Sequence, residues 1–330
     1  MSALRYLARA LAELDGRGLL RVPSTAQHDA GVLVLCSNDY LGYAAEPLDV
    51  SEPRRSGAGG SRLVSGDHPA HRELERELAS WVGQEDALLF SSGYAANLGT
   101  IAALAGPKDT IISDERNHAS IIDGCRLSGA RVVVTAHADA DAVSQALDDD
   151  AQHGPGRTWV ITEAYFSMDG TTPDLARLRR ACDEHQAALI VDEAHSIGIF
   201  GPAGSGLCHE AGIAPDVFVG TLGKALGLQG AFIAGTSDLR RWLWNRARTF
   251  VFSTGVSPWI AHVARQRVAR VRRDDSGRSR LADHVTRVRS QLARMGAPIK
   301  PSHGPIIFWQ CGDPQQALSL SAQLLERGVF

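Results

Sequence analysis

The chain has 330 residues, 44% of them hydrophobic and 22% charged, with a formal net charge of −3. That length accommodates one large domain and a smaller one, and the composition is that of an ordinary globular enzyme, without the basic excess that would hold a nucleic acid. Five scattered cysteines, odd in number and without C-x-x-C spacing, argue for reduced thiols against a disulfide framework or a zinc site. With no cationic leader and no apolar run approaching about 18 residues, a cytoplasmic protein without membrane contact is expected.

In chain order, the spacing of Leu4, Leu7, Leu11 and Leu14 predicts a helix over 3–14, stopped by Asp15-Gly16 and Gly18. A strand is expected at 32–35, then an exposed loop over 43–57 rich in acids, prolines and arginines. The glycine-rich stretch Gly57-Ala58-Gly59-Gly60-Ser61-Arg62-Leu63-Val64-Ser65-Gly66 lacks the Gly-Lys-Ser/Thr of a phosphate loop and opens no G-x-G-x-x-G helix. It reads either as a tight turn or as a binding loop.

From 68 to 250 strands and helices alternate. Helix 69–82, with Leu74, Leu78 and Trp81 on one stripe, precedes strand 87–90, helix 93–105, strand 110–112 and helix 118–128. Strand 131–134, helix 139–149, strand 158–162, helix 174–187 and strands 188–192 and 216–219 follow. Near-continuous apolar strands in this alternation predict an α/β fold, a mostly parallel sheet covered on both faces. Beyond 256 the pattern shifts to Arg-rich helices over 257–273 and 279–295, a strand at 306–309 and a helix over 314–327. These read as a smaller α+β part with a solvated basic face.

In such sheets ligands sit beyond the carboxyl ends of the strands, and five elements deliver polar groups there. They are Ser91-Ser92-Gly93-Tyr94 opening a helix, Asn117-His118, Ser167, Asp192 with His195 three residues on, and Thr221 with Lys224. A serine-started helix offers free N–H groups and a positive dipole end to a phosphate, although alone it is an ordinary cap. Asp192 at a buried strand end needs a cation, either a side chain or a pyridinium nitrogen. His195 could donate to a ring oxygen and His118 could stack on a flat ring, while either histidine by itself reads equally as structural. Lys224, held among small and apolar neighbours after a strand, suits an amine that must attack a carbonyl. Together they describe a site for pyridoxal 5'-phosphate.

The motifs Ser37-Asn38-Asp39-Tyr40-Leu41-Gly42, Gly57-Ala58-Gly59-Gly60-Ser61-Arg62, Ser92-Gly93-Tyr94-Ala95-Ala96-Asn97, Asn117-His118-Ala119-Ser120, Phe166-Ser167-Met168-Asp169-Gly170, Val191-Asp192-Glu193-Ala194-His195, Thr221-Leu222-Gly223-Lys224 and Phe252-Ser253-Thr254 resemble, in order, those of the α-oxoamine synthases, fold-type-I pyridoxal-phosphate enzymes. The resemblance implies a decarboxylating condensation of an amino acid with an acyl thioester. L-Alanine with a pimeloyl thioester is one pairing; glycine or serine with other acyl donors are the alternatives. It implies that Lys224 holds the cofactor and moves a proton at the substrate α-carbon, that Asp192 partners the pyridine nitrogen, that His195 donates to the ring oxygen and that His118 stacks on the ring. Ser92, Gly93, Tyr94 and Thr221 would hold or flank the phosphate, Ser167 the ring-oxygen side, and Thr254 the phosphate of a neighbouring subunit, which implies a homodimer with shared sites. Asn38 and an N-terminal arginine, Arg21 or Arg17, would face substrate.

The same resemblance suggests three parts: an N-terminal segment over 1–45, a large cofactor-binding domain over 46–255 and a small C-terminal domain over 256–330. Two departures stand out. Thr171 replaces the second Asp of Ser-Met-Asp-Gly-Asp, and relatives continue for several dozen residues past the position of Phe330, so the small domain is expected to be incomplete. An aminotransferase on the same fold is a rival, although such sites usually carry Asp-x-x-Tyr where this chain has Asp192-x-x-His195. A silent fragment that only dimerises is another.

Overall fold

The computed structural model describes residues 3–24, 31–47, 55–151, 156–300 and 302–330; residues 48–54 of the expected loop 43–57 lie outside them. In chain order the elements are α1 (Tyr6–Gly16), α2 (Pro69–Trp81), β1 (Asp86–Phe90), α3 (Gly93–Leu104), β2 (Thr110–Asp114), α4 (Ala119–Ser128), β3 (Arg131–Thr135), α5 (Ala140–Asp150), β4 (Thr158–Glu163), α6 (Leu175–Glu184), β5 (Ala188–Asp192), α7 (Leu207–Glu210), β6 (Val217–Thr221), β7 (Ala231–Gly235), α8 (Ser237–Arg246), α9 (Arg248–Val251), α10 (Pro258–Val271), α11 (Asp275–Arg294) and α12 (Pro314–Glu326). Several helix starts are set by short polar side chains: Ser92, Asp139, Asp174, Thr236 and Ser257 each accept a backbone N–H of the first turn.

The strands form one seven-stranded sheet in the order β1-β7-β6-β5-β4-β2-β3. Strand β7 runs antiparallel to both neighbours and the remaining pairings are parallel. Two reversals restore direction, so β1 points the same way as β2 to β6, and six carboxyl ends share one rim. Both faces are dry. Leu88, Ile111, Ile161, Ile190, Val219 and Ile233 pack with α3 and α4 on one face. On the other, Leu89, Phe218 and Phe232 meet α2 and α10, while Ile112, Val160 and Leu189 meet α5 and α6. Adjacent residues of one strand point to opposite faces, which is why these strands read as unbroken apolar runs.

Strand β7 was not foreseen. Its Ala-Phe-Ile-Ala-Gly sequence is short and mostly alanine or glycine, and its place is set by pairing along its length with both β1 and β6. Helix α8 was likewise unread. The two expected peripheral strands do not form: Leu33 and Trp309 each make a single bridge, to Val329 and Ile299. At Ile306 the backbone is already engaged, its N–H donating to the Tyr165 hydroxyl and its carbonyl accepting from Arg289, so no neighbouring strand is needed there.

The chain divides into two compact units. The larger comprises Asp39–Arg289 with Pro301–Ile307, the smaller Met1–Asn38, Ser290–Lys300 and Phe308–Phe330. This differs from a boundary at 255/256, because α10 buries Ala261, Ala264, Val268 and Val271 in the core it shares with α2. Arg267 on α10 is buried too, donating to the Tyr43 carbonyl, so that helix is not a wholly solvated basic face.

The glycine-rich stretch resolves as a tight turn. A Cβ on Gly66 would fall 2.1 Å from the Gly60 carbonyl oxygen, and Ser61 donates to the Val251 carbonyl. Arg62 is buried and donates to Glu75 Oε1 at 2.5 Å, an oxygen that also accepts from the Leu89 N–H at 3.0 Å, while Arg240 donates to Oε2 at 3.2 Å. Among the described residues, removing this carboxylate leaves the buried Arg62 with only the half-exposed Asp67 and Arg240 with only Asp86 at 3.7 Å as counter-charges. Glu75→Ala should therefore lower the unfolding free energy by about 3–5 kcal/mol, measured as the shift in urea midpoint; a loss below about 1 kcal/mol, the size of an exposed pair, would show that the network adds little.

Candidate active site

The shared rim collects the polar groups. Thr221 closes β6, its hydroxyl donating to the Gly230 carbonyl and accepting from the Gly223 N–H. The chain then loops through Lys224 and returns, with Leu222 N–H bonded to Gly230 O at 2.9 Å, Leu228 N–H to Leu222 O at 2.8 Å and Gly227 N–H to Lys224 O at 2.8 Å. Gly227 has φ +65° and passes so close to residues 43–44 that a Cβ would lie 2.4 Å from the Ala44 nitrogen. Only glycine fits there. Leu222, Ala225 and Leu226 are buried around the partly buried Lys224. Burial pulls the Lys224 amine below its usual pKa, and the charges of Asp192 and Glu163 oppose that pull.

Asp192 ends β5 beside Glu163 of β4, with which it is in register. Its carboxylate is buried and accepts from Asn97 Nδ2 at 2.6 Å and from the Ala194 N–H at 2.8 Å. Among the described residues no cationic side chain lies within 4 Å of it. Asn97 also donates to Ser120 Oγ, which bonds His118 Nδ1 at 2.7 Å. His118 caps α4, and its own N–H donates to Glu163 Oε1 at 2.7 Å.

Glu163 and Asn97 received no role from sequence alone. Glu163 nevertheless carries the signal that singled out Asp192, an acid closing an apolar strand, and Asn97 is a polar residue within the buried side of an apolar helix. Burial, and next the Asp192 charge, push the Glu163 carboxyl up to about 8.

His195 is buried, and its Nδ1 lies 2.7 Å from the Tyr40 hydroxyl. Burial, with the charges of Lys224 and His118, depresses its pKa to about 3, so the ring is neutral at ordinary pH. The acid between it and Asp192 faces elsewhere. Glu193 is fully buried, accepts from Ser196 and from the N–H groups of Leu207 and Cys208, and braces the turn where Gly206 passes.

The remaining expected residues fall into four places. Ser92 caps α3, its side chain accepting from the Ala95 N–H, with Gly93 and Tyr94 in the first turn. Tyr94 is exposed, sets its ring edge toward His118 at 6.3 Å and donates to Asp123. Ser167 is partly buried and its backbone bonds Glu163. Thr254 is exposed and lines a small cavity with Ser91 and Arg62. Asn38 and Arg21 lie in the smaller unit, the latter exposed. Thr171 bonds both Asp169 and His137 and so holds the turn that carries Ser167.

A family model described as aminotransferase class I and II matches residues 30–330. The chain belongs to that family. Within it the motifs are those of the α-oxoamine synthases, fold-type-I acyltransferases that use pyridoxal 5'-phosphate. One relative, named 8-amino-7-oxononanoate synthase from Alkalilimnicola ehrlichii, is 41% identical over 99% of this chain and 88% of its own length. Among solved structures, Sphingomonas wittichii serine palmitoyltransferase superposes with a TM-score of 0.90 at 29% identity, covering 100% of this chain and 88% of that one. An 8-amino-7-oxononanoate synthase from Francisella tularensis gives 0.77 at 26% identity, with 92% and 88% covered.

The donor set fits the family's cofactor. A buried carboxylate lacking a side-chain cation suits a pyridinium nitrogen. The Gly93 and Tyr94 N–H groups in the first turn of a 12-residue helix have no intrahelical acceptor and suit a phosphate. A partly desolvated amine suits an aldehyde carbon.

The raised carboxyl has a measurable consequence. The folded chain keeps the Glu163 proton to about pH 8, whereas an unperturbed carboxyl releases it near 4.5. Across that window the folded state binds more protons, so this group's contribution to stability falls as pH rises. Glu163→Gln removes that slope, and its stability relative to the parent should climb between about pH 5 and 8, followed by urea midpoints at each pH. A difference that stays constant with pH would mean Glu163 ionises normally.

Proposed function

We propose that this chain condenses L-alanine with a pimeloyl thioester, carried by coenzyme A or acyl carrier protein, to give 8-amino-7-oxononanoate, the thiol and carbon dioxide, a step of biotin formation. The observation that carries the reading is the coupling of Lys224, Asp192 and Glu163 at one rim of the sheet, supported by relatives of that name at 40–42% identity. Alanine and pimeloate are the finer part of the proposal; glycine or serine with another acyl donor is the alternative within the same reaction class.

Pyridoxal phosphate, when bound, supplies a protonated ring that accepts the charge developed at the amino acid's α-carbon. Everything else is the work of the chain. Lys224 would hold the cofactor and serve as the base at the amino acid's α-carbon; burial lowers its pKa, which leaves more free amine near neutral pH. Asp192, fixed by Asn97 and the Ala194 N–H, keeps the ring nitrogen protonated. His195 donates to the ring oxygen, with Ser167 on the same side, and His118 covers the ring face. The first turn of α3 at Ser92, Gly93 and Tyr94, with Thr221, seats the phosphate. Asn38 and Arg21 meet the substrates, and Thr254 completes the phosphate site of a second copy, making a homodimer. The proposed setting is cytoplasmic; no helix of the described residues is long and apolar enough to cross a membrane.

The test mixes protein, pyridoxal phosphate and pimeloyl-CoA with L-alanine, glycine or serine in turn and measures free thiol. Alanine should give the highest rate, and Lys224→Ala should lower it by roughly 10³-fold or more while abolishing the visible absorption of the bound cofactor. Faster release with glycine or serine would move the assignment to a sibling reaction. Stoichiometric conversion of the cofactor to its amine form without an acyl donor would replace it with an aminotransferase.

A further inference from the structure

The short turn over 39–45 is built more firmly than a connection requires. Gly42 takes φ +76° and donates its N–H to the Asp39 carbonyl at 3.0 Å, while Asp39 Oδ2 accepts from the Ala44 N–H at 2.9 Å. Tyr43 is buried in the core, donates its hydroxyl to Asp274 at 2.6 Å, and its carbonyl accepts from Arg267. The Arg267 guanidinium also lies over the Tyr43 ring at 4.5 Å. On its other side the turn touches Gly227, three residues past Lys224, with no room for a Cβ. A turn clamped on both sides gives the Tyr40 hydroxyl one position, 2.7 Å from His195 Nδ1.

We infer that Tyr40 is a positioning residue that fixes the tautomer of His195, making Nδ1 the acceptor and leaving the hydrogen on Nε2. A neutral imidazole has one donor and one acceptor nitrogen, and which is which is set by the partner of either. Imidazole nitrogen is the stronger acceptor and phenol the stronger donor of the two groups, so the hydrogen between them belongs to Tyr40. The surroundings keep both groups in the required state. Burial holds the Tyr40 hydroxyl above its usual pKa, and burial with the Lys224 and His118 charges keeps His195 neutral. His195 then offers a permanent Nε2–H donor at any ordinary pH. A protonated histidine would offer the same donor but would add a positive charge beside Lys224; the Tyr40 bond supplies the donor without the charge.

The inference rests on the proposed reading in one respect, that the donor faces the ring oxygen of the cofactor; the tautomer itself is independent of substrate. The experiment is ¹⁵N NMR of histidine-labelled protein, with and without pyridoxal phosphate, His195 being assigned by the signals lost in His195→Gln. In the parent chain Nδ1 should show an acceptor-type shift and Nε2 a protonated one, with the Nε2–H form in at least roughly tenfold excess. In Tyr40→Phe the excess should fall several-fold toward a mixture of tautomers, while pyridoxal phosphate still binds. Should Tyr40→Phe fail to fold, protein grown with 3-fluorotyrosine keeps the contact with a more acidic donor, and the Nδ1 signal should then move further in the hydrogen-bonded direction. A parent chain carrying its hydrogen on Nδ1, an unchanged ratio in Tyr40→Phe, or an Nδ1 signal indifferent to fluorination would each overturn the inference. Failure of the alanine and pimeloyl assignment would leave the NMR result untouched, so the two readings fail separately.

Discussion

A carboxylate taken out of water, with no side-chain cation against it among the described residues, is the constraint from which the rest of the site follows. Asp192 is held by two neutral donors, the Asn97 amide and the Ala194 N–H. Two neutral hydrogen bonds offset only part of the cost of burying a charge. Part of the remainder is avoided by keeping a second negative charge away: burial and the Asp192 charge hold the proton on Glu163, in register beside it. Burial also keeps His195 neutral and pulls Lys224 toward its free amine, while the Asp192 charge pulls that lysine the other way. One buried negative charge and several suppressed ones leave room for a cationic ring nitrogen.

That arrangement persists because its supports are anchored away from it. Asn97 links the α3 helix to Asp192 and, through Ser120, to the His118 ring. Glu163 ties the His118 and Ser167 backbones to β4. Glu193 faces away and locks the turn before α7. Glu75, with Arg62 and Arg240, clamps the glycine-rich turn to α2. Acids thus do two kinds of work in the larger unit. Glu75, paired with arginines, and Glu193, held by backbone N–H groups, fix the scaffold, while Asp192 and Glu163 sit together at the rim without an arginine.

The rim was legible in the sequence because a parallel sheet has only one chemically open edge, and strand ends there are marked by the change from Val, Ile and Leu to Ser, Asp, His and Lys. Lys224, Asp192, His195 and His118 were visible on that ground alone. Glu163 was visible in principle, since it closes β4 as Asp192 closes β5, but its partners come from the backbone of other loops. The peripheral strands at 32–35 and 306–309 were misread for the opposite reason. An apolar run is a strand only where a neighbour offers a ladder of some length: Leu33 and Leu35 bond the short segment Gly328–Phe330, which makes one bridge, and Ile306 gives its N–H and carbonyl to side chains.

The sequence by itself determined the class of fold, the direction of its core strands and the identity of the groups on their carboxyl rim, because these depend on local periodicity and on where apolar runs stop. The tertiary structure decided what depends on residues far apart in the chain. It inserted β7 in reverse between β1 and β6, drew α10 into the core of the larger unit, and brought Tyr40 to His195 across 155 positions. Pairing, burial and proton placement are properties of neighbours, and those neighbours exist only once the chain has folded.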